Sequence, residues 1–354
     1  MIIGGKNPRE AVCLVAEIGI NHEGSLSRAK EIAYAAAASG ADAVKIQTCV
    51  PELFAPPGDH KRLELLQRFH LTFDETEEMF GWARENGIHL FSTPLDLISA
   101  AFLAQFGHLA KVSSGDITFL PLLDKIANLG MDIILSTGGS NLTEIAEAVN
   151  CIMSVNRPEN LRGDLGLMHC VSLYPAPYSE LNLSSIPTLQ SQFPGLIVGY
   201  SDHSIGLHAS LAAVALGARI IEKHFTLDKS TSDFRDHQLS VEPRDLAELR
   251  LRIDVTEATL GNSYKRPNVL EANAVKSIRR SIFFKRNLDS NVAIAEDDLT
   301  FLRPGTGLGP GSAPAVIGRR LRTSVRAGDQ VTEDMLAVES NPSVDESLPK
   351  NLPT

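Results

Sequence analysis

The sequence predicts an α/β protein, a (β/α)8 barrel followed by a small β-rich module. Three observations carry the prediction. Eight short apolar runs recur along the first two thirds of the chain, stretches of helical period separate them, and almost every run ends on a polar or ionisable residue. Parallel strands joined by crossover helices over roughly 250 residues specify such a barrel. A doubly wound open sheet is the structural competitor. The convergent polar ends favour the barrel, which gathers the carboxyl ends of all its strands around one mouth.

The strand-like runs are residues 13–18, 43–47, 89–93, 109–114, 132–137, 165–170, 196–201 and 219–224. Between them, residues 26–39, 74–86, 141–155 and 205–216 are amphipathic or Ala-rich with helical spacing, and a further helix-like stretch covers 243–260. In order, the runs end on Glu17, on Lys45 with Gln47, on Ser92 and Thr93, on Lys111 with Ser114, on Ser136 and Thr137, on His169, on Ser201 with His203, and on Glu222 with His224. One polar strand end means little, because strands stop near water. All eight together point to a site.

The last two runs and the Ala- and Leu-rich stretch between them read as a βαβ unit, so His203 and His224 emerge at the same end and can reach one metal ion. The plainer reading of each is a hydrogen-bonded core or rim histidine. Lys45 and Lys111 point toward the same mouth, with Thr93, Ser114, Ser136, Thr137 and Ser201 as hydroxyl donors. A desolvated ammonium is costly unless it meets an anion, so a small polyanionic substrate is the economical reading, and surface lysines that snorkel are the alternative.

The chain has 354 residues, 43% hydrophobic and 21% charged, enough for a large core and a second, smaller domain. No apolar run approaches the ~20 residues of a membrane span and the first residues lack a secretory h-region, so a cytosolic protein without membrane contact is expected. A net charge of −10 argues against nucleic acid as the main ligand. Cys13, Cys49, Cys151 and Cys170 show no zinc-type spacing and read as buried thiols. After about residue 277 the helix signals fade and short apolar runs broken by Gly and Pro take over. The expected organisation is a barrel over 1–262, a polar linker over 263–278, the β-rich module over 279–338, and a tail over 339–354 without apolar periodicity, expected to be disordered.

At this point the motifs carry a resemblance. Ala16-Glu17-Ile18-Gly19-Ile20-Asn21-His22-Glu23-Gly24, Val44-Lys45-Ile46-Gln47-Thr48, Ser92-Thr93-Pro94, Leu135-Ser136-Thr137-Gly138, His169-Cys170, Tyr174-Pro175, Ser201-Asp202-His203 and Glu222-Lys223-His224-Phe225-Thr226 resemble the sialic acid (N-acetylneuraminate) synthase family. From Ser281 onward the chain resembles the antifreeze-like (SAF, β-clip) domain of those synthases, including Phe301-Leu302-Arg303-Pro304-Gly305.

The resemblance implies condensation of phosphoenolpyruvate with an N-acylated mannose-type aldehyde to give a nonulosonic acid and phosphate. It assigns Lys45, Thr93, Lys111, Ser114, Ser136 and Ser201 to phosphoenolpyruvate, and Gln47, Tyr174 and Arg303 to the sugar. His203 and His224 would hold a divalent metal, Mn2+ with Mg2+ or Co2+ as substitutes, while Glu17, Asp116 and Asp236 are the candidate acids. It further implies a domain-swapped homodimer in which Arg303 completes the partner's sugar site. His237 is a third residue placed near the metal.

Two departures bear on the sugar. The segment between Gln47 and the helix near Asp74 is short, and Ser172 stands where many relatives have Asn. The acceptor is therefore open among N-acetylmannosamine, its 6-phosphate, and the diacetamido trideoxy hexoses that lead to legionaminic and pseudaminic acids. A pyruvate aldolase with a Schiff base on Lys45 or Lys111 is the rival enzyme. A sugar-binding protein without turnover is the non-enzymatic rival.

Overall fold

The structure, a computed structural model, describes residues 1–155, 163–232 and 235–337. The tail expected to be disordered lies outside them. The chain divides into two compact units, Met1–Gly261 and a second that begins at Asn262.

The first unit runs β1 (Cys13–Gly19), α1 (Leu26–Ala38), β2 (Ala43–Thr48), α2 (Pro51–Phe54), α3 (His60–Phe69), α4 (Phe73–Glu85), β3 (Leu90–Pro94), α5 (Leu97–Leu103), β4 (Leu109–Val112), α6 (Leu120–Asn128), β5 (Asp132–Ser136), α7 (Leu142–Met153), β6 (Leu165–Cys170), α8 (Ser185–Gln192), β7 (Ile197–Asp202), α9 (His208–Ala215), β8 (Ile220–His224), α10 (Arg235–Leu239) and α11 (Pro243–Leu260). The strands β1 to β8 pair in sequence order, and β8 returns to β1 to close a parallel barrel. The helix starts are written locally. Thr72 with Glu75 and Asn141 with Glu144 form reciprocal caps on α4 and α7, and Asp96 accepts from the backbone of Ile98 and Ser99 at the start of α5.

Strand alternation sorts the apolar side chains into two layers. Leu14, Ala16, Ile18, Val44, Ile46, Val112, Ile133, Leu135 and Val198 face the helices and join the larger core. Cys13, Val15, Ala43, Phe91, Leu109, Ile134, Met168, Ile197 and Ile220 fill the barrel interior, and Ile3 packs against them. Gly199 is needed in that interior, because a Cβ there would come within 2.5 Å of Met168 Sδ and of the Ile220 carbonyl oxygen.

The expected elements differ from the observed ones in four places. The run 109–114 stops at Val112, and Ser114–Asp116 form a 3-10 turn. The stretch 205–216 becomes helical only from His208, after Gly206 at φ +81. The segment after Gln47 holds two helices, α2 and α3, the second capped by Asp59 on the Arg62 N–H. Finally, the linker is partly helical, with α12 (Ala272–Ile278) preceded by a 3-10 turn that Asn268 and Glu271 cap. Its apolar positions are too few to give a periodic signal, and the cap was the legible cue.

In the second unit β9 (Ser281–Phe284) pairs antiparallel with β10 (Leu299–Leu302), and α13 (Ala313–Val316) follows. Ile282, Phe284, Ile294, Leu299, Leu321 and Val331 build its own core. Among the described residues no helix is long and apolar enough to cross a membrane.

Candidate active site

The alternation that fills the barrel with apolar side chains places polar ones at its carboxyl end. Glu17, Lys45, Gln47, Thr93, Lys111, Ser114, Ser136, Tyr174, Ser201, His203, His224 and Asp236 line one cavity of about 210 Å³. Twelve residues singled out in the sequence, from all eight strands or the loops after them, therefore meet. Glu222, Cys170, Ser113, Ile20, Phe54 and Leu95 complete the wall.

The floor is a chain of alternating charges. Lys45 contacts the Glu17 carboxylate and lies 3.9 Å from Glu222, while Lys111 donates to Glu222 at 3.2 Å. Ser201 donates to the same Glu222 oxygen at 2.9 Å, and Lys45 donates to Thr93 at 3.2 Å. All four charged residues are buried, no more than 4% exposed. Burial pushes Glu222 up, but Lys111 and Lys45 outweigh it and hold its carboxyl at about 2. Burial raises Glu17, with Lys45 only partly offsetting it. Burial alone would lower Lys45, yet Glu17 and Glu222 raise it, whereas Lys111 is lowered by burial. The two carboxyls are thus driven apart, Glu222 downward by the lysines and Glu17 upward by burial.

Gly19 makes room for this floor. It adopts φ +33 where β1 shifts register against β2, and a Cβ there would come within 2.3 Å of Glu17 Oε1 and 3.1 Å of Gln47 Nε2. Gln47 Nε2 donates to Glu17 Oε1 at 3.3 Å. Ser114 accepts from the Gly138 N–H at 3.0 Å. Ser136 Oγ is buried with no hydrogen-bond partner among the described residues.

His203 and His224 stand two residues beyond Ser201 and Glu222, with ring centres 5.4 Å apart. Tyr174 stacks on His203 at 4.1 Å and meets His224 edge-on at 6.0 Å. His203 Nδ1–H donates to the Val171 carbonyl at 2.8 Å, which fixes the tautomer and leaves the Nε2 lone pair available. Burial lowers His203 to about 4 and, with His203 and Lys45 nearby, takes His224 well below the usual imidazole range. Two neutral imidazoles are what a metal requires. Asp236 Oδ2 lies 3.7 Å from His224 Nδ1. Among the described residues no group of three or more His, Cys, Asp and Glu is placed to hold an ion, so the protein offers two nitrogens, with the remaining positions left to oxygen donors. That donor set fits a divalent cation that accepts oxygen ligands beside imidazole.

Other residues singled out in the sequence fall elsewhere: Ser92 bonds the Thr48 hydroxyl, Thr137 and His169 line another hollow and donate to the Met168 and Leu181 carbonyls, and three more stand apart from the cavity. Asp116 lines an adjoining hollow with Phe54, Arg62, Leu95 and Phe119, its carboxylate bonded to the Ser113 hydroxyl. Arg303 is exposed in the second unit, before a cis Pro304. His237 accepts or donates at Thr226 Oγ1, 2.8 Å away, and turns its other nitrogen toward Glu23 at 3.6 Å, behind the cavity wall. The residue missed as a site member is Glu222. Its signal was in the sequence, since Glu222 and His224 are two apart on one strand and so share a face.

The NeuB family profile matches residues 32–265, and the SAF domain profile matches 279–337. The chain is 40% identical to N,N'-diacetyllegionaminic acid synthase of Campylobacter jejuni subsp. jejuni over 83% of this chain and 91% of that protein. It is 36% identical to the protein of that name from Legionella pneumophila subsp. pneumophila, over 92% and 96%. The crystal structure of N-acetylneuraminic acid (sialic acid) synthetase from Leptospira borgpetersenii, in complex with citrate, superposes with a TM-score of 0.70 at 32% identity, covering 75% of this chain and 90% of that one. The barrel agrees with these relatives and the second module with the SAF profile: the chain belongs to the NeuB family and carries a SAF domain.

Proposed function

We propose that the chain joins phosphoenolpyruvate to the open-chain aldehyde of an N-acylated mannose-type sugar, with water, giving a nonulosonic acid and inorganic phosphate. The observation that carries the reading is that one cavity is lined by two buried lysines, by Ser136, whose buried hydroxyl has no hydrogen-bond partner among the described residues, and by two imidazoles that burial keeps neutral. A phosphate ester with a carboxylate is the ligand that such lysines and hydroxyls suit.

Carbon 3 of phosphoenolpyruvate forms the new bond to the aldehyde carbon, and the aldehyde oxygen takes up a proton. Water adds at carbon 2 and loses a proton, the ester C–O bond breaks, and phosphate leaves. A divalent ion at His203 and His224, Mn2+ with Mg2+ or Co2+ as substitutes, would supply Lewis-acid polarisation of the aldehyde when bound. Lys45 and Lys111 with Ser114, Ser136 and Ser201 hold the phosphoenolpyruvate. Glu17, raised by burial, holds the mobile proton beside Gln47, and Glu222 stays ionised to keep both lysines oriented. Asp236 is the base nearest the imidazoles. Asp116, in the adjoining hollow, is given no step.

Within the acceptor class we favour a diacetamido trideoxy hexose over N-acetylmannosamine or its 6-phosphate. The 40% and 36% identical relatives named above are diacetyllegionaminic acid synthases. Ile20, Phe54 and Leu95 also give the cavity an apolar wall, suited to a methyl in place of a hydroxymethyl. Arg303 is assigned to the sugar site of a partner subunit in a domain-swapped homodimer. Activity recovered on mixing Arg303→Ala with His203→Ala protein supports that assignment, and no recovery removes it.

The test of the reaction is phosphate release from phosphoenolpyruvate with Mn2+ across a panel of mannose-type aldehydes, with a chelator control. Sugar-dependent, chelator-sensitive release is expected. Trapping of a pyruvate adduct by borohydride without phosphate release would establish the aldolase instead.

A further inference from the structure

Asp202 and Lys223 are the residues that strand alternation turns away from the cavity. Asp202 lies between Ser201 and His203, and Lys223 lies between Glu222 and His224. They are register partners on β7 and β8, wholly buried, with Oδ2 and Nζ 3.1 Å apart. Asp202 Oδ1 accepts from the Ser204 N–H at 2.8 Å, the Ser204 hydroxyl at 2.7 Å and Tyr200 at 3.3 Å, and Oδ2 accepts from Ser210 at 2.6 Å. Lys223 Nζ also donates to the Ser204 carbonyl at 2.5 Å. The turn that follows His203 is therefore tied to the strand that carries His224.

A buried ion pair is a poor source of stability, because desolvation offsets the attraction and an apolar pair of similar volume packs as well. What the pair does add is a fixed separation and register. The carboxylate has a full set of donors, so neither partner can shift without leaving a buried charge unpaired. One residue further along, just past the end of β7 and at the end of β8, stand the groups whose spacing matters most, His203 and His224. Side chains that hold metal ligands in place from behind act in this way.

We propose that the Asp202–Lys223 pair is a positioning device that sets the spacing of His203 and His224 for a divalent cation. The inference rests on the reading of those histidines as metal-holding residues.

The test uses the full chain and Mn2+ alone. Calorimetry gives the Mn2+ dissociation constant for wild type, Lys223→Arg, the charge-free double variant Asp202→Asn/Lys223→Met, and His203→Ala, and thermal unfolding without metal reports on the fold. The double variant is expected to melt within a few degrees of wild type yet bind Mn2+ roughly 10–100-fold more weakly, with Lys223→Arg closer to wild type. A folded double variant that binds within threefold of wild type overturns the proposal and leaves the metal site standing. A double variant that fails to fold also overturns it, because the pair is then structural. Wild type that binds no better than His203→Ala removes the metal reading, and the inference with it.

Discussion

One residue pair further along the same strands, the barrel interior changes character. Val15, Ala43, Phe91, Leu109, Ile134, Met168 and Ile220 form an apolar layer, and two positions on stand Glu17, Lys45, Thr93, Lys111, Ser136, Cys170 and Glu222. Backbone, pairing and burial are alike, and only the side chains differ. The lower layer removes apolar surface from water and stabilises the fold. The upper layer holds buried charges that a stable barrel does not need, so its residue types answer to a ligand.

The contrast can be broken or sharpened by experiment. The largest effect is expected in the upper layer, where His203→Ala lowers turnover by roughly 10³-fold or more, several kcal/mol of Lewis-acid stabilisation, with little change in melting; a variant active without bound metal would show that the two layers do not divide the work in this way. In the lower layer, Ile134→Ala is expected to cost about 2–5 kcal/mol in urea unfolding while activity per folded molecule persists. Acid tests the buried polar shell around the mouth. Burial lowers His22 to about 4 from an ordinary 6.5, so its folded form resists the proton that the unfolded form accepts. The stabilisation is complete above pH 6.5 and lost as pH falls through 4, about 3 kcal/mol in all. Unfolding free energy that is flat across that window in a comparison with His22→Gln would contradict it. The smallest expected change is the most telling: Lys111→Met/Glu222→Leu should leave stability within about 1 kcal/mol or raise it, while phosphoenolpyruvate-dependent turnover disappears.

The barrel was legible because eight apolar runs alternate with helical stretches, and the mouth was legible because the polar ends converge only in a closed parallel sheet. Who touches whom was not. Period-2 spacing puts Glu222 beside His224, but that it bridges Lys45 and Lys111 depends on β4 facing β8 across the interior, a long-range fact. The outward pair Asp202 and Lys223 sits inside the same motifs, masked by the histidines next to it. Helix α2 escaped because it is four residues long without a side-chain cap, and α3 because only Phe69 of its apolar residues is buried. Arg303 and the tail have no local pattern that fixes where they act.

The alternating floor of two lysines and two carboxylates has a consequence for substrate binding. Both lysines are already paired with carboxylates, so an anionic guest finds its cations engaged. On the proposed reading, its arrival adds negative charge beside Glu17, whose carboxyl burial already moves upward, and proton uptake from solvent there is the expected response. On that reading, loading the substrate also loads the acid. Calorimetry of phosphoenolpyruvate binding in buffers of different ionisation enthalpy should register proton uptake, and affinity should weaken as pH rises. Heats that are independent of buffer would mean that the guest displaces a carboxylate outright, and that the proton for the later step comes from elsewhere.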